Sequence, residues 1–187
     1  MKYLDAEDPE KVPGRRLSES DTFAFACHPG VSCFNLCCRN LNLYLYPYDV
    51  IRLKNSLGIS SDDFIDAYTH VVLRDGSHFP HVLLAMAENE EKTCSFLTDE
   101  GCRVYPDRPQ TCRAFPVEHA LYFDQGVPRL LHYFRPPDFC RGQDETRQWT
   151  AKSWEADQNA AFYNQMTIEW AQVMRLFARD PWGGQGP

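Results

Sequence analysis

The sequence predicts an α+β fold: a small single domain of short β-hairpins and cysteine loops around metal, packed by flanking helices. Three observations carry that prediction. Eight cysteines run from Cys27 to Cys140, four of them within the twelve residues "CHPGVSCFNLCC". Three apolar, β-prone stretches each fold back at a turn bearing Asp and Gly. After Cys140 the apolar residues recur at helical rather than strand spacing. A chain of 187 residues can bury a core without covalent staples.

The elements follow in order. Residues 1–20, "MKYLDAEDPEKVPGRRLSES", are rich in charge and turn formers and read as an extended polar leader that packs little. The domain proper is expected over residues 21–180, beginning with a cysteine segment made loop-like by Pro29 and Gly30. In "YPYDVIRLKNSLG", Pro47 suits the first position of a short helix and Gly58 its stop. Ser60, with Asp63 three residues on, caps a second helix. "HVVLRDGSHFPHVLLAMA" reads as a hairpin turning at Asp75-Gly76. "CSFLTDEGCRVY" reads as a tighter hairpin with a cysteine at each end, and "HALYFDQGVPRLLHYF" as a third turning at Asp124-Gln125-Gly126. Residues 141–180 are the helical part: Thr150 caps one helix, and a longer one places Phe162, Met166, Trp170, Val173, Met174 and Phe177 on one face, read as core. Residues 181–187, "PWGGQGP", are expected to fray.

Charge and composition exclude several function classes. The net charge is −7, and Arg15-Arg16 is the only basic doublet, so the clustered cations that neutralise nucleic-acid phosphates are missing. No run approaches eighteen apolar residues, so no membrane span is expected. The first twenty residues lack the apolar core of a secretory signal, which makes the cytoplasm the expected compartment, where thiols stay reduced. Disulfides suit small secreted scaffolds without a core, so metal is the favoured employment of the eight thiols.

Thiolate is a soft ligand for zinc, Cu(I) and iron–sulfur clusters, and eight thiolates fill two four-ligand sites. No Cys-x-x-Cys pair occurs, which weighs against a zinc ribbon and slightly favours an iron–sulfur cluster such as 4Fe-4S; zinc stays open. Phe23, Phe25, Phe34, Phe96, Phe115 and Phe139 interleave with the thiols and serve either as a dry shell around a cluster or simply as core. Adjacent Cys37 and Cys38, in an extended segment, would face opposite sides, so they would feed two sites, or one would ligate while the other packs.

The run "CSFLTDEGCRVYPDRPQTCRAFP", preceded by a cysteine cluster ending in Cys-Cys and followed by a lone cysteine, resembles the YkgJ-type cysteine-cluster family. The resemblance extends from Phe23 to Cys140. It implies zinc or iron chelation, with Cys27, Cys33, Cys37, Cys38, Cys94, Cys102, Cys112 and Cys140 as ligands. The family pattern is Cys-x2-Cys-x2-Cys-Cys, whereas the gaps here are five and three. One longer relative is the flagellin lysine N-methylase, which implies an alternative as a protein-lysine methyltransferase using S-adenosylmethionine.

Arg108 and Arg113 offer guanidinium groups that offset thiolate charge or pin turns through carbonyls, and Tyr105 could also donate to sulfur. His28, next to Cys27, is an alternative ligand; His78 and His81 read as surface residues. No nucleophile elbow, phosphate loop or dinucleotide fingerprint is present. Cys33 and Cys37 share the first spacing of a radical S-adenosylmethionine motif, but Asn40 stands where its third cysteine belongs. The expected function is therefore a cytoplasmic metal-binding protein, with a protein substrate or redox partner as its expected company. A zinc-stapled interaction module without catalysis is a further alternative.

Overall fold

The computed structural model describes residues 2–3, 12–74 and 77–179. In chain order the first strands are β1 (Lys2–Tyr3), β2 (Arg15–Leu17) and β3 (Thr22–Ala24), followed by a 3-10 turn at Leu36–Cys38 and β4 (Tyr44–Leu45). Next come α1 (Pro47–Leu57), α2 (Ser61–Tyr68), β5 (Thr69–Val72), β6 (His81–Leu84), β7 (Leu97–Thr98) and β8 (Gly101–Cys102). A 3-10 turn at Tyr105–Asp107 leads to α3 (Gln110–Ala114), β9 (Val117–Asp124) and β10 (Val127–Phe134). A last 3-10 turn at Arg141–Asp144 precedes β11 (Gln148–Thr150), α4 (Ala151–Asp157) and α5 (Ala161–Ala178). Helices and small, mostly antiparallel sheets make the fold α+β, as the sequence predicts. Among the described residues no helix is long and apolar enough to cross a membrane.

Two compact units make up the chain, each discontinuous in sequence: residues 1–37 with 110–161, and residues 38–109 with 162–187. The first unit is built on a four-stranded sheet in the order β1-β9-β10-β2. Its centre is the predicted third hairpin. Gln125 and Gly126 have φ of 47° and 90°, the left-handed pair that lets a two-residue turn match strand twist. A second ladder joins β3 to β11. Phe23, Phe25, Val117, Trp149 and Trp154 form the core, with Phe25 and Trp154 ring centroids 5.4 Å apart and edge-on. Thr150 caps α4 as expected, accepting from Ser153 N–H at 3.1 Å.

The leader differs from expectation over its last residues. Arg15–Leu17 pair antiparallel with β10, and Val12 and Leu17 are buried. The strand satisfies backbone groups along the β10 edge and carries Leu17 into the core, while Arg15 lies over the Phe134 ring. Two apolar residues and a sheet edge suffice to order a stretch whose composition is polar.

In the second unit, α1 begins at Pro47 and ends at Gly58, whose φ of 68° permits the left-handed cap. Ser60 caps α2 through Asp63 N–H at 3.1 Å. Strands β4, β6 and β5 form a three-stranded sheet. Ladder pairing of the predicted first hairpin ends at Val72 and His81, and beyond it Ser77 N–H donates to Arg74 O at 3.0 Å. The predicted turn pair Asp75-Gly76 lies outside the described residues. Phe64, Tyr68 and Phe96 stack in sequence, 5.6 and 5.5 Å between centroids. The apolar stripe read on α5 is only partly core. Phe162 and Val173 are exposed, whereas Tyr163, Asn164, Thr167 and Ala171 form the buried face. Thr167 is accommodated there because its hydroxyl donates to the Tyr163 carbonyl, which removes the cost of burying it.

Candidate metal centre

Five of the eight cysteines lie in the first unit, and four of them gather. The segment before Cys27 is sewn to the turn after Cys140: Phe25 N–H donates to Arg147 O at 2.9 Å and Ala26 N–H to Gly142 O at 3.0 Å. Trp149 Nε1 donates to Phe25 O at 2.7 Å from the other side. Gly142 is required by this approach. A Cβ there would stand 2.6 Å from Ala26 O and 2.8 Å from Phe25 Cε2. Overlapping turns, Val31 N–H to His28 O, Phe34 N–H to Val31 O and Leu36 N–H to Cys33 O, then wind the loop through Cys33 to Cys37.

The result brings Cys37, Cys33 and Cys140 near enough to Cys27 for each to act on its charge. Cys27 lies at the surface, yet surrounding protein pushes its thiol up to about 11, with Cys37, Cys33 and Cys140 adding to the rise. Burial raises the Cys140 thiol too, and nearby Cys33 contributes, while the amides of Gly142 and Gln143 oppose the rise. Arg141 N–H donates to Cys33 Sγ at 3.0 Å. Three successive backbone N–H groups at the start of the Arg141–Asp144 turn thus face two sulfurs. Such N–H···S contacts stabilise thiolate charge and tune a metal–sulfur centre. No disulfide joins any of the eight cysteines.

The second unit carries Cys38, Cys94 and Cys102. Cys94 N–H donates to Cys38 O at 2.8 Å, and the predicted second hairpin pairs Leu97 with Cys102. Burial raises both the Cys94 and Cys102 thiols. Opposing it are the Phe96 and Leu97 amides and Arg103 for Cys94, and the Val104 amide, Arg108 and Arg103 for Cys102. Arg108 serves both readings made from sequence: it favours the Cys102 thiolate and also donates to Tyr105 O at 2.6 Å, lying over the Tyr105 ring. Arg103 was not singled out from sequence, although its place directly after Cys102 is the signal that could have found it.

The remaining sequence candidates fall differently. Cys112 is half-buried on α3. Arg113 is buried and donates to Gln158 O, a carbonyl contact of the turn-pinning kind. His28 Nδ1 accepts from Gly30 N–H at 3.2 Å, and its Nε2 lies 3.7 Å from Glu145. His81 is beside Ser77, and His78 beside Phe177. Phe23, Phe25 and Phe96 are buried, but Phe139 is 45% exposed and forms no dry shell. Cys37 and Cys38 end a 3-10 turn rather than lying in an extended strand, so their side chains diverge by about 120° rather than pointing oppositely. One group was missed altogether: His119 faces His132 across the β9–β10 hairpin, near Glu155 of α4. Counting back from the Gln125-Gly126 turn gives that register directly from sequence.

Residues 26–160 match the family model CxxCxxCC, described as a "putative zinc- or iron-chelating domain". The wider gaps between Cys27, Cys33 and Cys37 therefore do not remove the chain from the pattern. No curated protein and no solved structure matches the chain. Nothing in these comparisons supports the lysine-methyltransferase alternative.

Proposed function

Because the chain belongs to the CxxCxxCC family of zinc- or iron-chelating domains, we propose that it is a cytoplasmic metal protein whose Cys27, Cys33, Cys37 and Cys140 hold an iron–sulfur cluster. The observation that carries this reading is the set of amides at residues 141–143 directed at the sulfurs of Cys33 and Cys140. Gathered thiols repel one another as they ionise, so each neighbour opposes the next; a cation reverses that sign and makes the same grouping favourable. When bound, the cluster supplies one-electron chemistry or a covalent staple. The chain's own residues do the rest: Phe25, Phe115 and Trp154 pack edge-on beneath the loop, and the amides lower the charge on sulfur. Four thiolates complete a four-ligand site, which favours electron transfer or structure over catalysis there. A redox partner protein is the company such a centre implies, approaching where Cys27 reaches the surface.

Cys38, Cys94 and Cys102 are proposed as ligands of a separate metal, with Arg103 and Arg108 offsetting charge. The adjacent pair then divides, Cys37 to one site and Cys38 to the other. Anaerobic purification with iron, zinc and acid-labile sulfide analysis tests the reading. A brown protein absorbing broadly near 400 nm, with iron and sulfide in equal amounts, is expected. A colourless protein containing zinc and no sulfide would overturn the cluster and leave the same thiols as a zinc site.

A further inference from the structure

We propose that His119, His132 and Glu155 form a second kind of metal site in the first unit, one that takes a divalent first-row cation through nitrogen and oxygen. A ligand atom from each of the three lies within 4.8 Å of the other two. His132 Nε2 is 3.7 Å from Glu155 Oε1. Two ligands at zinc-like bond lengths on a tetrahedron stand roughly 3.3 Å apart, so small side-chain movements close the set.

The arrangement is built from rigid elements. His119 and His132 are partners in the β9–β10 ladder. Counting pairs from the closing pair Asp124 and Val127 makes theirs a non-hydrogen-bonded pair, the kind in which opposite side chains approach most closely. Pro128, which has no N–H to give, falls on another such pair. The two rings stand edge to face with centroids 4.8 Å apart. His119 is buried, and its Nδ1 lies 2.8 Å from the Gln110 carboxamide; ligation through Nε2 requires the carboxamide oxygen on that side, accepting from Nδ1–H, because a nitrogen donating there would leave the proton on Nε2. Glu155 comes from α4, which is locked by Trp154 Nε1 donating to Ala114 O at 2.8 Å.

The observation pointing to a ligand is His132 Nε2, a buried polar atom without a hydrogen-bond partner among the described residues. Such an orphan is costly unless something fills the gap beside it. Two imidazoles and one carboxylate suit zinc(II) with a fourth position open, or non-haem iron(II) with more than one. Unlike the four-thiolate set, this site would leave room for water or a substrate oxygen on the metal. It stands or falls independently of the cysteine reading.

The test uses the full chain, stripped and reloaded anaerobically with cobalt(II), zinc(II) or iron(II) in separate arms, in wild type, Glu155→Gln and His132→Gln. Cobalt separates the two chemistries: thiolate sites give intense sulfur-to-metal charge transfer, and a nitrogen–oxygen site gives only weak ligand-field bands. Each variant is expected to lose about one equivalent of metal and the ligand-field contribution, with the charge-transfer bands unchanged. Comparing the zinc and iron arms identifies the preferred ion. Unchanged metal content and unchanged ligand-field bands in both variants would overturn the proposal and leave the trio a polar packing group. Should His132→Gln fail to fold, Glu155→Gln, which changes one atom of a half-buried side chain isosterically, decides the matter alone.

Discussion

Gly142 is the residue on which the proposed quartet closes, because any side chain there meets the Ala26 carbonyl and the Phe25 ring. Gly142→Ala should therefore cost about 1–3 kcal/mol in a denaturant titration, the usual range for overpacking, and should lower bound metal with it. A variant with wild-type stability and metal content would show that the approach of residues 26 and 142 is not needed. The thiols add a pH dependence. Without metal, the raised Cys27 thiol favours the folded state while it stays protonated, so that contribution is full below the ordinary thiol range and fades as pH climbs toward about 11. Metal inverts the sense, since each ligating thiol must give up its proton. Loading the stripped protein at neutral pH should release about one proton per cysteine ligand, measurable by calorimetry in buffers of different ionisation enthalpy. At this scale the thiols were legible because cysteine type and spacing are chemical signals in their own right. His119 and His132 were not, because twelve residues separate them and only a strand register makes them neighbours.

The β9–β10 hairpin carries two of the three residues of the proposed nitrogen–oxygen site. Gly126 holds φ at 90°, so Gly126→Ala should destabilise the protein by about 1 kcal/mol through the turn alone, read as a lower melting temperature. An unchanged melting temperature would mean that the turn tolerates a Cβ at that φ. Elements with explicit punctuation were readable from sequence: Pro47 and Gly58 bound α1, Ser60 and Thr150 cap α2 and α4, and Asp124-Gln125-Gly126 marks the hairpin. Elements decided by tertiary partners were not. Arg15–Leu17 looks polar until β10 offers it an edge, and the buried face of α5 follows Thr167 and Ala171 rather than the larger Phe162. Periodicity reports where apolar residues recur, and packing then chooses which face is used.

For the molecule as a whole, the proposed ligands of the first unit extend from Cys27 to Cys140, so a metal there would add a strong link between segments that the β3–β11 ladder and the Ala26–Gly142 bond already bring together. Removing metal should lower the melting temperature and weaken near-UV dichroism; a stripped protein with both unchanged would mean that metal adds no folding energy. The adjacent cysteines give a sharper division, since Cys37→Ser should empty the quartet while Cys38→Ser leaves it filled. Native mass spectrometry of the anaerobically purified chain reads this most directly, because it reports the mass and identity of what each molecule carries. The account predicts that wild type and Cys38→Ser both carry the mass of an iron–sulfur cluster and that Cys33→Ser and Cys37→Ser both lack it. The same added mass in Cys33→Ser and Cys37→Ser as in wild type would contradict the account at its centre.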